Sequence, residues 1–445
     1  GSGEILLWRV HEFDKVEVQP ELHGHFYSAD SYVIMYKYLF RGWREQYIIY
    51  YFQGRTSRIL EKGTSALLTV ELDEEVGRSA KEVRVVQGKE PKHFLTVFQS
   101  RFVMHHGKDP AAEGKKKGGE EAKMYEVHGD NGELDESGKV QWDQCVERVK
   151  GIEVEARSYR LSSASTFILV KNKDLFVWYG SASSEIEKTF ADNYVEKISG
   201  ASLNIQKIHE GKENKKFWSA FPKGEEFFPL RRRQNRPRPR LYQCSIGTGV
   251  FDVEELYYFC QDDLMSDDVY LLDSGDDLFL WVGKHATKRE KRMGMDVGLA
   301  YLAKLPNKDK RQSYVRKQDR EDKKDGLGLF LVEDGKEPLY FTTQFHAWTD
   351  LVMKNGVMVK RDGGRDAGKV GLPVQHIQDI LDQQEQKIAY QDILDGNYPE
   401  FVDESRLETY LVEEEFQELF GMNAEEFEGL PGWKKDKMKN DLGLY

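Results

Sequence analysis

Apolar and polar positions along the chain fall into blocks that repeat. Three strand-like runs are apolar on both faces: SYVIMYKYLF from Ser31, STFILV from Ser165 and DVYLLD from Asp268. That pattern predicts central strands covered on two sides. Each is followed by an aromatic strand that closes on glycine: YIIYYFQG at Gly54, DLFVWYG at Gly180 and DLFLWVG at Gly283. Seven residues after each glycine stands a glutamate, Glu61, Glu187 or Glu290. Helical stripes come next: Phe190, Tyr194 and Ile198 in the second block, Met293, Val297 and Ala300 in the third. A further strand then leads to Gly-Lys-Glu at Gly88, Gly211 and Gly335, with Phe six and ten residues beyond (Phe94 and Phe98, Phe217 and Phe221, Phe341 and Phe345). Offsets preserved three times mark a true repeat. Each unit is predicted to be a small α+β domain, a central mixed sheet between one long and one short helix.

The intervening segments differ in composition. Residues 108–123 are charged and Gly-rich and read as a linker; residues 229–240 are basic and Pro-rich. Residues 307–326 read as a solvated insertion and residues 362–371 as a second Gly-rich linker. The 445 residues carry a net charge of −12, which makes general nucleic-acid binding a poor fit. No apolar run approaches the ~20 residues of a membrane span. Cys145, Cys244 and Cys260 are widely spaced, which argues against a disulfide framework or a zinc site and for a reducing compartment. The start at Gly-Ser-Gly, without Met, reads as an excised fragment. His23 with His25, and His105 with His106, have no further ligand placed by motif and read as structural. No P-loop, G-x-S-x-G or H-E-x-x-H motif supports an enzyme.

The segments GHFYSADSYVIMY, QDDLMSDDVYLLD and FLWVGKHATKREK resemble the gelsolin family, and EEEFQELFGMNAEEFEGLPGWKKDKMKNDLGLY resembles a villin headpiece. Together they resemble the C-terminal half of a villin-type protein. The resemblance implies repeats of the fourth, fifth and sixth type at 1–107, 124–228 and 240–352, a linker at 353–381, and an all-α headpiece at 382–445. It also implies a cytoplasmic, cytoskeletal actin binder controlled by calcium.

Calcium takes six to eight oxygens. By the family pattern the first repeat would offer the Ala29 carbonyl, Asp30 and Glu61, and the third the Asp267 carbonyl, Asp268 and Glu290. The second has Ser165 at the acidic position and keeps only Glu187, so its site is expected to be weak or empty. From the repeat pattern alone, the Asp and Glu equally read as caps on a helix dipole. The family's fourth repeat grips monomeric actin through its long helix, expected here over Ser57–Leu72 with Ile59, Leu67 and Val70 as candidates. In the headpiece, Phe416, Phe420 and Phe427 resemble the core, while Trp433, Arg406, Glu408, Lys434, Lys439 and Tyr445 match positions that face filamentous actin. Leu407, Asn440 and Leu442 replace basic residues there, which implies weaker filament binding. Arg231, Arg232 and Arg233 carry charge suited to phosphoinositide headgroups, although a solvated linker is the favoured reading. The rival reading is a calcium-insensitive, supervillin-like adaptor.

Overall fold

The computed structural model describes residues 3–99, 101–110, 122–130, 148–198, 203–222, 239–246, 249–305, 328–349, 351–354, 357–360, 375–377, 387–398, 402 and 404–444. The chain divides into two compact units. One holds the first two repeats together with residues 257–264 and 335–372; the other holds the rest of the third repeat and the C-terminal segment.

In the first repeat, β1 (Glu4–His11), β2 (Asp14–Glu17), β4 (Ser31–Phe40), β5 (Arg44–Gln53) and β6 (Lys81–Val86) form one sheet in the order β2-β1-β4-β5-β6. β4 is central, and its alternate residues feed two cores. Tyr32, Ile34 and Tyr36 pack with Phe52, Phe94 and Phe98 on the side of the short helix α2 (Lys92–Val97). Val33 and Met35 pack with Leu68 and Leu72 of the long helix α1 (Ile59–Glu75). Two short strands, β3 (His25–Tyr27) and β7 (Val103–His105), leave this sheet and extend that of the second repeat.

That second sheet has seven strands, built on β8 (Lys123–Asp130), β9 (Arg148–Val154), β10 (Thr166–Lys171), β11 (Asp174–Tyr179) and β12 (Asn204–His209). The helices are α3 (Glu185–Ile198) and α4 (Lys215–Trp218). At the shared edge His25 Nδ1 lies 2.8 Å from His105 Nε2, and the Tyr125 hydroxyl lies 3.2 Å from His105 Nδ1. Glu153 sits 3.7 Å from the same imidazole and accepts the His106 N–H. The histidines are thus structural parts of a joint between repeats.

The third repeat's sheet comprises β13 (Arg240–Ser245), β14 (Asp252–Leu256), β15 (Val269–Asp273), β16 (Leu278–Val282) and β17 (Leu329–Glu333), with α5 (Lys288–Lys304) against it, and the short β20 (Gln375–His376) pairs antiparallel with β17 as its sixth strand. Here the expected stripe is rotated: Ala300 is exposed, and Gly294 and Gly298 face the sheet. A Cβ at either glycine would come within 2.8 Å of Val269 or Leu329, so helix and sheet approach closely through residues that an apolar stripe does not register. In the first unit, α6 (Leu339–Thr342) precedes a ring cluster of Phe341, Phe345 and Trp348. Two small strands follow and pair with each other, β18 (Leu351–Lys354) and β19 (Val357–Lys360).

The two recurrent sequence signatures have physical causes. Gly54, Gly180 and Gly283 each donate to the carbonyl at the head of the central strand, namely Asp30, Ser165 and Asp268. A Cβ would lie 2.4 Å from the Ser28 or Ser163 carbonyl oxygen, or 2.2 Å from that of Ser266, so only glycine fits this crossing. The Gly-Lys-Glu glycines have φ of 93°, 82° and 87°, and each N–H is accepted by the glutamate two residues later. Glu90 also takes the Lys150 ammonium at 2.6 Å, a buried pair that ties the first repeat to the second.

The C-terminal helices α7 (Tyr390–Leu394), α8 (Glu413–Phe420), α9 (Ala424–Glu428) and α10 (Gly432–Asp441) enclose Phe416, Phe420, Phe427, Leu407 and Leu444. The three Phe rings contact one another at 4.5, 4.7 and 5.6 Å between centroids.

Candidate functional site

Each of the three helix glutamates caps its own helix. One carboxylate oxygen accepts the N–H three residues back: Arg58 for Glu61 at 3.4 Å, Ser184 for Glu187 at 2.9 Å, Thr287 for Glu290 at 2.9 Å. The capping role is therefore real, and it leaves the second oxygen, Oε1, for other partners: Lys108 for Glu61, the Gly129 N–H for Glu187 and the Ile246 N–H for Glu290.

In the first repeat Asp30 and Glu61 line one cavity of about 180 Å³, together with Arg9, Val10, His11, Arg58 and Lys108. Lys108 Nζ lies 3.6 Å from Glu61 Oε1, the Asp109 N–H donates to Asp30 at 3.0 Å, and Arg9 pairs with Asp109 at 3.0 Å. Burial pushes the Asp30 carboxyl above its usual range, against the pull of the Asp109 N–H, Arg9 and Lys108. Among the described residues no backbone N–H donates to the Ala29 carbonyl. Two carboxylates and a carbonyl with no such donor suit a hard cation, with Lys108 as the group it would displace.

The third repeat holds its acids differently. Gln243 Nε2 donates to Asp268 at 2.7 Å, and Glu290 accepts the Ile246 N–H at 3.2 Å and the Thr287 hydroxyl at 2.8 Å. Burial raises the Glu290 carboxyl, but these donors outweigh it and hold it below the usual carboxylate value. No lysine or arginine pairs with either acid among the described residues, and no backbone N–H donates to the exposed Asp267 carbonyl. Carboxylate oxygens keep further lone pairs after accepting such bonds, so this donor set also fits a hard cation.

The second repeat departs in a way that the sequence did not disclose. Arg9, Glu126 and Gln243 occupy one register position on the neighbouring strand, opposite Tyr32, Phe167 and Tyr270. Where Ser165 replaces the acid, Glu126 supplies a carboxylate beside it, accepting the Ser165 hydroxyl at 3.0 Å. The expectation of a lone carboxylate in this repeat is thus corrected. Both acids are engaged by the chain: Glu126 by the Ala347 N–H at 3.1 Å, Glu187 by the Gly129 N–H at 3.0 Å and by His128 at 3.3 Å. Burial raises the Glu126 carboxyl and pushes the His346 imidazole, which meets the Glu126 carbonyl, well below its usual value. Among the described residues no group of three or more His, Cys, Asp or Glu is arranged to hold a metal ion. The first and third repeats would therefore rely on two carboxylates plus carbonyls.

α1 runs from Ile59 to Glu75, two to three residues later than expected, and has two faces. Thr64, Ser65, Leu68 and Leu72 face inward, whereas Ile59 (89% exposed), Leu67 (66%) and Val70 (49%) form an outer apolar stripe. Gly63 falls within that stripe, where a Cβ would meet nothing within 4 Å.

The gelsolin-repeat family model matches residues 12–95, 147–218 and 252–322, and the villin headpiece domain model matches residues 410–445. The chain belongs to the gelsolin/villin family. It is 30% identical to villidin from Dictyostelium discoideum over all of its length and 24% of that protein's. To advillin from Mus musculus it is 30% identical over all of its length and 52% of advillin's. Gelsolin from Gallus gallus is 31% identical across 79% of this chain and 42% of that protein. The chain thus spans at most about half the length of these curated relatives.

In the villin-type headpiece, Trp433 is 70% exposed and Lys434 is also at the surface. Arg406 reaches Glu428 at 3.4 Å. Lys439 and Glu408, both matched to positions that face filamentous actin, instead form a buried pair at 2.9 Å, because α10 is pinned to the preceding segment there. Leu407 is buried in the core, which accounts for its apolar character. Tyr445 and the arginines 231–233 lie outside the described residues. Three site residues were missed from sequence: Lys108 and Asp109, assigned by composition to a linker, and Glu126, whose pairing partner only the sheet register reveals.

Proposed function

We propose that this chain is a calcium-responsive actin-binding segment of the gelsolin/villin family, with repeats at 1–107, 124–228 and 240–352 and a headpiece at 382–445. Calcium binds at Ala29, Asp30 and Glu61 and at Asp267, Asp268 and Glu290. The outer stripe of α1 enters an apolar cleft on monomeric actin, and Trp433 with Lys434 and Arg406 meets the filament. The observation that carries this reading is that α1 bears both functions: Glu61 in its first turn faces the cation cavity, and Ile59 in the same turn is exposed. Drawing Glu61 onto an ion, and Lys108 off it, therefore changes how α1 is held. The family setting is cytoskeletal.

The test is binding to monomeric actin with Ile59→Asp and Leu67→Asp, each with and without calcium. The proposal requires a loss of about tenfold or more for either charge on the stripe, since a buried unpaired carboxylate costs well over 1 kcal/mol. Unchanged binding by both variants would remove α1 as the contact. Filament co-sedimentation of Trp433→Ala tests the headpiece separately.

A further inference from the structure

The β4–β5 hairpin outruns its sheet. Pairing with β1 stops at Lys37 opposite Glu4, and pairing with β6 begins at Ile48 opposite Lys81. Among the described residues no strand flanks residues 38–47, and residues 38–40 at about 3.3 Å each carry the turn roughly 10 Å past the sheet. A bare two-stranded ribbon is marginal, but this one is braced. Lys37 pairs with Glu45 at 2.9 Å, the Tyr47 hydroxyl donates to Glu45 at 2.8 Å, and the Tyr38 hydroxyl donates to Gln46 at 2.9 Å. Arg41 and Gly42, with φ of 54° and 81°, reverse the chain. The Arg41 guanidinium lies 5.3 Å from the Phe40 ring centroid.

Bracing leaves the tip apolar and open: Leu39 is 58% exposed, Phe40 44% and Trp43 75%. Lys37 and Glu45 neutralise each other, so Arg41 and Arg44 make the tip cationic on a chain of net charge −12. An indole at the end of a finger, flanked by guanidinium groups, matches the interface of a bilayer, where Trp sits at headgroup level and Arg meets lipid phosphates. The reach of the finger matches the ~5–10 Å depth of interfacial insertion. We infer that hairpin 38–47 inserts Leu39, Phe40 and Trp43 among the headgroups of an anionic bilayer, with Arg41 and Arg44 on the phosphates. The inference is independent of calcium and actin binding and uses none of the linker arginines.

The test is sedimentation of the full chain with phosphatidylcholine vesicles, with and without about one-fifth phosphatidylserine and no phosphoinositide. Binding to the anionic vesicles is expected, weakening with salt and falling about tenfold or more in Trp43→Ser and in the double variant Arg41→Glu, Arg44→Glu. Brominated lipids should quench a fraction of the tryptophan emission that is absent in Trp43→Phe. All three side chains replaced, Arg41, Trp43 and Arg44, are exposed, so the thermal melts of the variants should overlay that of the parent. Absence of binding to anionic vesicles would overturn the inference. So would equal binding by the parent and both hairpin variants, or binding lost only on replacing Arg231, Arg232 and Arg233, which would assign it to the linker.

Discussion

Replacing Lys108 with alanine should strengthen calcium binding at the first repeat. The ammonium lies 3.6 Å from Glu61 Oε1, the oxygen left free by helix capping. A divalent ion bound to that oxygen would sit roughly 5 Å from the ammonium, and at an effective dielectric of about 40–80 their repulsion is about 2–3 kcal/mol. Lys108 is 30% exposed at its side chain and can swing toward solvent, which relieves part of this. The net gain on removing it is therefore about 1–2 kcal/mol, or about five- to thirtyfold in affinity. Isothermal titration in an Asp268→Ala, Glu290→Ala background isolates the first site. Lys108→Ala should bind calcium more tightly there, and adding Glu61→Gln should abolish the heat. Equal or weaker binding by Lys108→Ala would refute the view that this ammonium holds the cation's place. The raised Asp30 carboxyl adds a pH dependence: proton competition should begin to weaken this site above the ordinary carboxylate range as pH falls.

The second repeat offers a sharper contrast. Ser165→Asp alone should place two carboxylates against each other beside Glu126 and destabilise the chain, whereas Ser165→Asp with Glu126→Gln recreates the third repeat's Asp–Gln pair and should produce a new calcium heat by titration. Glu153 is pushed up by burial, yet the His105 contact, Lys123 and the His106 N–H together hold its carboxyl at about 2. Its stabilisation is therefore full above the ordinary carboxylate pKa and is lost as pH falls toward about 2. Glu153→Gln should cost about 2 kcal/mol in denaturant melts near neutrality, and the deficit should shrink in acid. Gly63→Ala should raise stability by up to about 1 kcal/mol by the same assay, because a Cβ there meets nothing and the backbone is helical.

Much of the architecture was legible because the repeat is enforced by close contact. Gly54, Gly180 and Gly283 cannot change without a Cβ striking a carbonyl, and Glu90, Glu213 and Glu337 each satisfy a left-handed glycine's N–H. Such constraints leave fixed offsets that a reader can align. What escaped notice depends on partners far apart in sequence. Glu126 gains meaning only from its register against Phe167, and Lys108 only from the fold-back that brings it to Glu61. The exchange of β3 and β7 into the second repeat's sheet joins residues too distant for any local pattern to reveal. Lys439 and Glu408 looked like surface charges because sequence encodes charge but not burial. On α5 the closest helix–sheet contact runs through Gly294 and Gly298, so the apolar stripe caught Val297 at the core but missed the glycines and included the exposed Ala300.

The most direct measurement is the affinity of the full chain for monomeric actin at zero and at saturating calcium, for the parent and for Glu61→Gln. Binding through α1, gated by an ion on that helix's first turn, predicts that calcium tightens the parent's affinity by about tenfold or more and leaves Glu61→Gln unmoved. Equal affinity of the parent in both conditions would contradict it.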